Sequence, residues 1–196
     1  MSGPFNPHQR INLEKASVLL ADASPGGLGL LLNILSGFGV RNFHKCSTSV
    51  EAQAILHNNV MDLIITDATL ADTTGYEFVR WLRHSKIEPN CYSPVILLTG
   101  HTRVSNITKG RDCGANFVVA KPLTAAVLLE RILWVARENR PIIDAGDYIG
   151  PERRFKSLGP PPGIAGRRKE DQAAHKGGAA LASETASTPQ LKRASQ

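Results

Sequence analysis

The chain has 196 residues, 42% of them hydrophobic and 20% charged; that is room for one sizeable domain plus an appendage, with no apolar run of membrane-spanning length. Its formal net charge of +6 divides evenly, with 13 Lys and Arg against 10 Asp and Glu over residues 1–137 and 10 against 7 over residues 138–196, and no basic stripe with interleaved aromatics points to DNA or RNA. The three widely spaced cysteines, Cys46, Cys91 and Cys113, argue against a disulfide scaffold or zinc site and fit a reducing cytoplasm.

Residues 1–15 read as an N-terminal arm without the charged head, apolar centre and small-residue cleavage site of a secretory signal. From Ala16 to about Arg137, short apolar runs alternate with helix-like stretches. The runs predict strands at Ser17–Ala21, Asn42–Cys46, Leu63–Thr66, Val95–Thr99 and Phe117–Ala120. Between and after them, helices are expected at Gly27–Phe38, Val50–Asn58, Gly75–Ser85, Arg103–Cys113 and Thr124–Glu138. Five β-α repeats predict a doubly wound parallel sheet with helices on both faces, in the order 2-1-3-4-5. The third to fifth strands are continuous apolar runs, as strands covered on both faces are. Thr48 or Ser49, and Thr124, stand where helix N-caps belong, and Gly114 stands where a C-cap belongs. The glycines Gly26, Gly27 and Gly29 lack the Gly-Lys-Ser/Thr of a phosphate loop and read as a flexible first turn. Trp81 reads as helix-face packing, and Trp134 as a residue of a partner surface.

The composition changes after Asn139. Residues 139–156 form an extension whose Ile142, Ile143, Tyr148, Ile149 and Phe155 are suited to packing on the domain. Residues 157–196 are a basic tail rich in Pro, Gly, Ala and Ser, expected to be disordered. The domain proper is thus expected over residues 16–138, and residues 139–196 are not expected to hold a DNA-binding or catalytic output domain.

Four polar groups end hydrophobic strands: Asp22 after Val18–Ala21, Asp67 after Leu63–Thr66, Thr99 after Val95–Leu98, and Lys121 after Phe117–Ala120. An Asp at a strand end is most often a turn former, and Asp22 alone fits a helix N-cap. Together, however, they fall at the carboxyl edge of the sheet, where ligands of open α/β folds sit. A carboxylate nucleophile, a second acid, a hydroxyl and an ammonium on one edge suit the capture of a phosphoryl group.

This pattern closely resembles the receiver domain of two-component response regulators, the CheY-like proteins. The resemblance runs from Ala16 to Arg137 and implies that Asp67 is the phosphoacceptor. Thr99 would bind a phosphoryl oxygen, and Lys121, before a cis Pro122, would be the phosphate partner. Mg²⁺ would be held by Asp22, Asp67 and the backbone carbonyl of Thr69. Asp67 would attack the phosphorus with its charge neutralised by that metal and the lysine. The sequence departs from the family at Ala23, where a second acid usually contacts the metal, at Ala71 for Pro, at Thr74 for Asp, and at Val118 for an aromatic. Ala23 implies a weakened Mg²⁺ site.

The expected protein is therefore a single-domain, cytoplasmic response regulator and not an enzyme. Its phosphodonor would be a histidine kinase or phosphotransfer protein, and it would signal to a protein target through its fourth helix, fifth strand and fifth helix. The alternative is a phosphorylation-independent pseudo-receiver acting as a binding module. Arg153 and Arg154, flanked by Tyr148 and Phe155, would there grip a nucleotide such as cyclic di-GMP, because paired guanidinium groups match guanine edges and phosphates. No DNA and no membrane partner is expected.

Overall fold

Alternating side chains along each strand send apolar groups to both faces of one sheet, and that pattern fixes the architecture. A computed structural model describes residues 13–100, 104–137 and 140–152. The elements run β1 (Ser17–Ala21), α1 (Pro25–Gly37), β2 (Asn42–Cys46), α2 (Ser49–Asn58), β3 (Leu63–Asp67), α3 (Gly75–His84), β4 (Val95–Thr99), α4 (Val104–Asp112), β5 (Phe117–Ala120) and α5 (Ala125–Arg137). A short hairpin of β6 (Ile142–Asp144) and β7 (Ile149–Pro151) follows. The five-stranded parallel sheet has the order β2-β1-β3-β4-β5, as the β-α alternation predicts.

The core is two clusters, one on each face. Leu19, Ile64 and Leu97 pack with Leu56, Phe78, Val79 and Leu82 of α2 and α3. Their strand neighbours Val18, Leu20, Ile65, Ile96 and Leu98 pack with Leu31, Leu35, Leu128 and Ile132 of α1 and α5. Each fully buried Leu or Ile contributes about 1.5–3 kcal/mol of transfer free energy, so the sheet sandwich is the dominant stabilising unit.

Local signals set the helix ends. Helix α1 begins two residues before the expected start, because Ser24 accepts the Gly27 amide as N-cap and Pro25 occupies the first turn, where a missing N–H costs nothing. Gly26, Gly27 and Gly29 accordingly lie inside the helix and do not form a flexible turn. Thr48 and Thr74 each form a capping box, with Glu51 and Glu77 respectively. Gly114 follows α4 with φ +95°, the left-handed conformation that a C-cap needs.

Residues 140–152 return to the N-terminal end of β5. The Arg140 guanidinium donates to the Asn116 and Glu152 carbonyls and lies 5.0 Å from the centre of the Trp134 ring. Trp134 meets Phe117 edge-on at 4.4 Å. The ring expected at a partner surface is partly buried, with Phe117 of β5 at an edge-on contact and Arg140 of the extension over its face. Trp81, on α3, stacks on Phe78.

Candidate functional site

The register brings the four strand ends together. Asp22 follows β1, whose Ala21 lies opposite Thr66, and Asp67 closes β3 opposite Leu98. Thr99 closes β4 opposite Ala120, and its carbonyl accepts the Lys121 amide at 2.7 Å. Asp22, Asp67 and Thr99 are 2%, 8% and 2% exposed, so three polar groups are held out of bulk water at one edge.

Lys121 joins them. Its ammonium lies 3.0 Å from Asp22 Oδ2 and forms a second ion pair with Asp67 Oδ2. The Lys121–Pro122 bond is cis. Burial pulls the lysine pKa down, but hydrogen bonding and charge from Asp67 and Asp22 outweigh it, leaving the pKa above the ordinary value. Lys121 is therefore a fixed cation at any physiological pH.

Backbone groups hold the two acids. The Ser24 amide donates to Asp22 Oδ1, and the Thr69 amide donates to Asp67 Oδ1, both at 2.8 Å. Asp67 Oδ2 is buried and is ion-paired with the Lys121 ammonium. Two glycines make the space. A Cβ on Gly27 would lie 2.3 Å from Asp22 Oδ2, and one on Gly75 would lie 1.9 Å from the Asp67 carbonyl oxygen. Gly27 reads in sequence only as punctuation, and its role behind Asp22 is legible only once α1 is placed.

The donor set suits a hard cation. Two carboxylates and a backbone carbonyl are all oxygen ligands of the kind Mg²⁺ takes, and the two carboxylates converge on the single Lys121 ammonium at this edge. The set is also thin. Among the described residues no group of three or more Asp, Glu, His or Cys side chains converges, because Ala23 stands beside Asp22. The acid of the adjoining loop, Asp72, is engaged elsewhere: its carboxylate accepts the Ser49 amide at 2.7 and 2.9 Å.

Thr74, in place of the usual Asp, is the N-cap of α3. Val118 of β5 lies under α4, where a Cβ on Gly110 would meet Val118 Cγ2 at 2.3 Å. Arg153, Arg154 and Phe155, with the 157–196 tail, lie outside the described residues, as do the expected helix ends Arg103 and Glu138.

The fold and this edge define a phosphorelay receiver. Residues 18–133, more than half of the chain, match the response regulator receiver domain, and the chain belongs to that family. It is 34% identical over 115 residues to the sensor protein EvgS of Escherichia coli O157:H7, which aligns with 59% of this chain and 9% of that protein. It is 28% identical over 115 residues to the chemotaxis protein CheY of Pseudomonas aeruginosa, covering 59% of this chain and 91% of that one. The solved structure of the chemotaxis response regulator CheY4 of Vibrio cholerae covers 61% of this chain and 98% of its own, with a TM-score of 0.56 and 27% identity. The family serves two-component phosphorelays with histidine kinases or phosphotransfer proteins, and its members generally bind Mg²⁺ at an acidic pocket. Among the described residues no helix is long and apolar enough to cross a membrane.

Proposed function

We propose that Asp67 accepts a phosphoryl group from a phosphohistidine of a histidine kinase or phosphotransfer protein. The observation that carries this is Asp67 itself: a shielded carboxylate at the centre of the sheet edge, Oδ1 held by the Thr69 amide and Oδ2 facing Lys121. An Asp67 oxygen forms the new O–P bond as the P–N bond of the phosphoimidazole breaks and the imidazole leaves with the electron pair. Lys121 stabilises the charge that develops on the phosphoryl oxygens, and the Thr99 hydroxyl holds one of them. Asp22, Asp67 and the Thr69 carbonyl are the residues that would hold Mg²⁺, which when bound neutralises phosphoryl charge. The site transfers a phosphoryl group onto its own chain and performs no other catalysis. The modified protein signals to a protein target through the α4-β5-α5 face. Incubation with Mg²⁺ and acetyl phosphate or a phosphorylated kinase is expected to add one hydroxylamine-labile phosphate, absent in Asp67→Asn. A wild-type protein that stays unmodified with every donor overturns the proposal.

A second reading is favoured by Ala23 and by the Lys121 ammonium already bridging both acids: a receiver-shaped binding module that works without phosphorylation. Its ligand would be cyclic di-GMP, gripped by Arg153 and Arg154. Calorimetric titration decides this version, which fails if no heat is evolved or if Arg153→Ala/Arg154→Ala binds as wild type does.

A further inference from the structure

The loop from Ala68 to Thr74, which leaves the phosphoacceptor, is closed at its base and tied at its tip. At the base, Thr69 and Thr74 form an antiparallel bridge and the Gly75 amide donates to the Ala68 carbonyl at 3.0 Å. Leu70 anchors the loop in the core at 4% exposure. The tip reaches across to α2: the Ala71 amide donates to the Ser47 carbonyl at 3.0 Å. Asp72 then takes four hydrogen bonds from the first turn of that helix. The Ser49 amide reaches both its oxygens, the Ser49 hydroxyl reaches Oδ2 at 2.7 Å, and the Val50 amide reaches Oδ2 at 3.2 Å.

Helix α2 thus carries two capping side chains. Thr48, the N-cap, accepts the Glu51 amide. Asp72, more than twenty residues along the chain, accepts the two amides before it. A free helix start needs only a local cap. Here the second cap is delivered by the loop that presents Thr69, and Thr69 is the residue whose amide holds Asp67 Oδ1. Hydrogen bonds thus run without a break from the start of α2 through Asp72 and its loop to the acceptor carboxylate.

We infer that Asp72 is a positioning residue for phosphoryl transfer: by clamping the loop to the start of α2, it holds Thr69 against Asp67. The inference rests on the assignment of Asp67 as acceptor. It also explains why the only acid in this loop does not replace the carboxylate missing at Ala23.

The test compares two ways of uncapping the same helix turn. Asp72→Ala removes the cap that ties down the loop, while Thr48→Ala removes the cap that does not. Both are expected to lower thermal stability. Only Asp72→Ala is expected to raise the Mg²⁺ concentration for half-maximal phosphorylation by acetyl phosphate, by about tenfold, as loss of an outer partner to a ligand does. Only Asp72→Ala is expected to speed hydrogen exchange at the Thr69 amide in metal-free protein. Asp72→Asn keeps an acceptor for the Ser49 and Val50 amides and is expected to restore most of both readouts. Equal half-saturation and equal Thr69 protection in the two alanine variants would overturn the inference. If wild type takes no phosphate from any donor, the acceptor assignment fails, and the exchange measurement alone then decides whether Asp72 holds Thr69.

Discussion

Arg83 is the most consequential buried charge outside the site, and its removal is a sharp test of the fold's energetics. It lies on α3 at 3% exposure. Its guanidinium donates to the carbonyls of Cys91 (2.6 Å), Ser93 (2.9 Å) and Gly114 (3.0 Å) and to Asn116 Oδ1 (3.1 Å). Burial lowers its pKa to about 10, so it remains a cation at neutral pH, and among the described residues no carboxylate pairs with it. Carbonyl dipoles alone compensate the charge. Arg83→Met keeps much of the stem and removes every donor. Asn116 Oδ1 retains the Val95 amide, which leaves three carbonyls unsatisfied at about 1–3 kcal/mol each. Release of the buried cation offsets part of that cost, and the net expectation is a loss of about 3 kcal/mol. With a urea m-value of roughly 1.5–2 kcal/mol/M, the midpoint falls by about 1.5–2 M. Arg83→Lys, whose single ammonium cannot span the same carbonyls, is expected to recover less than half. An Arg83→Met midpoint within roughly 0.5 M of wild type would refute the argument, because the carbonyls would then be satisfied without the guanidinium.

Two further outcomes follow from the site and the caps. Ala23→Asp places a third carboxylate beside Asp22 and is expected to tighten Mg²⁺ by at least about tenfold, or ~1.4 kcal/mol, in a calorimetric titration; unchanged affinity means that acid count does not limit the site. Three capping carboxylates are held below their ordinary pKa: Asp72 chiefly by the Ser49 amide, Glu51 by the Ser47 and Thr48 amides, and Glu77 by the Thr73 hydroxyl. The unfolded chain binds those protons at higher pH, so their stabilisation is whole above roughly pH 4–4.5 and is lost as pH falls through the folded values. Urea midpoints measured downward from that range are expected to fall less steeply in Asp72→Asn than in wild type, and parallel curves would count against the assignment.

The fold was legible because its information is local. Apolar runs of four or five residues ending in Asp22, Asp67, Thr99 and Lys121 announce both the strands and the edge where they finish. The capping boxes at Thr48 and Thr74 need only three residues to be read. What escaped is what the sheet brings together from afar. Asp72 and Ser49 carry no shared pattern in the sequence, so the clamp exists only once β2 and β3 have both paired with β1. Arg83 falls in register with Val79 on the buried face of α3, and a charge there reads as a solvated position until three carbonyls are seen converging on it. The start of α1 is hard to read because Gly26 and Gly27 look like punctuation, whereas Ser24 and Pro25 outweigh them. The contact of Arg140 with Trp134 is likewise invisible in the sequence, because the apolar neighbours of Trp134 do not disclose it. The β6-β7 pairing was equally hidden, since Pro141, Gly146 and Pro151 mark turns more often than strands.

The hairpin also has a practical consequence. It contacts the chain at Gly114, and Arg140 just ahead of it binds the Asn116 carbonyl, both before β5 begins, while Lys121 stands after β5 ends. Four residues of strand separate the two, about 13 Å at 3.3 Å per residue. A fluorophore fixed at the exposed Asp147 would stand on the turn that joins the two hairpin strands, at the far end of β5 from the reacting atoms. Through Gly150, which lies against Gly114, it would sit beside the α4–β5 turn, giving this receiver an optical reporter separated from Lys121 by the length of β5.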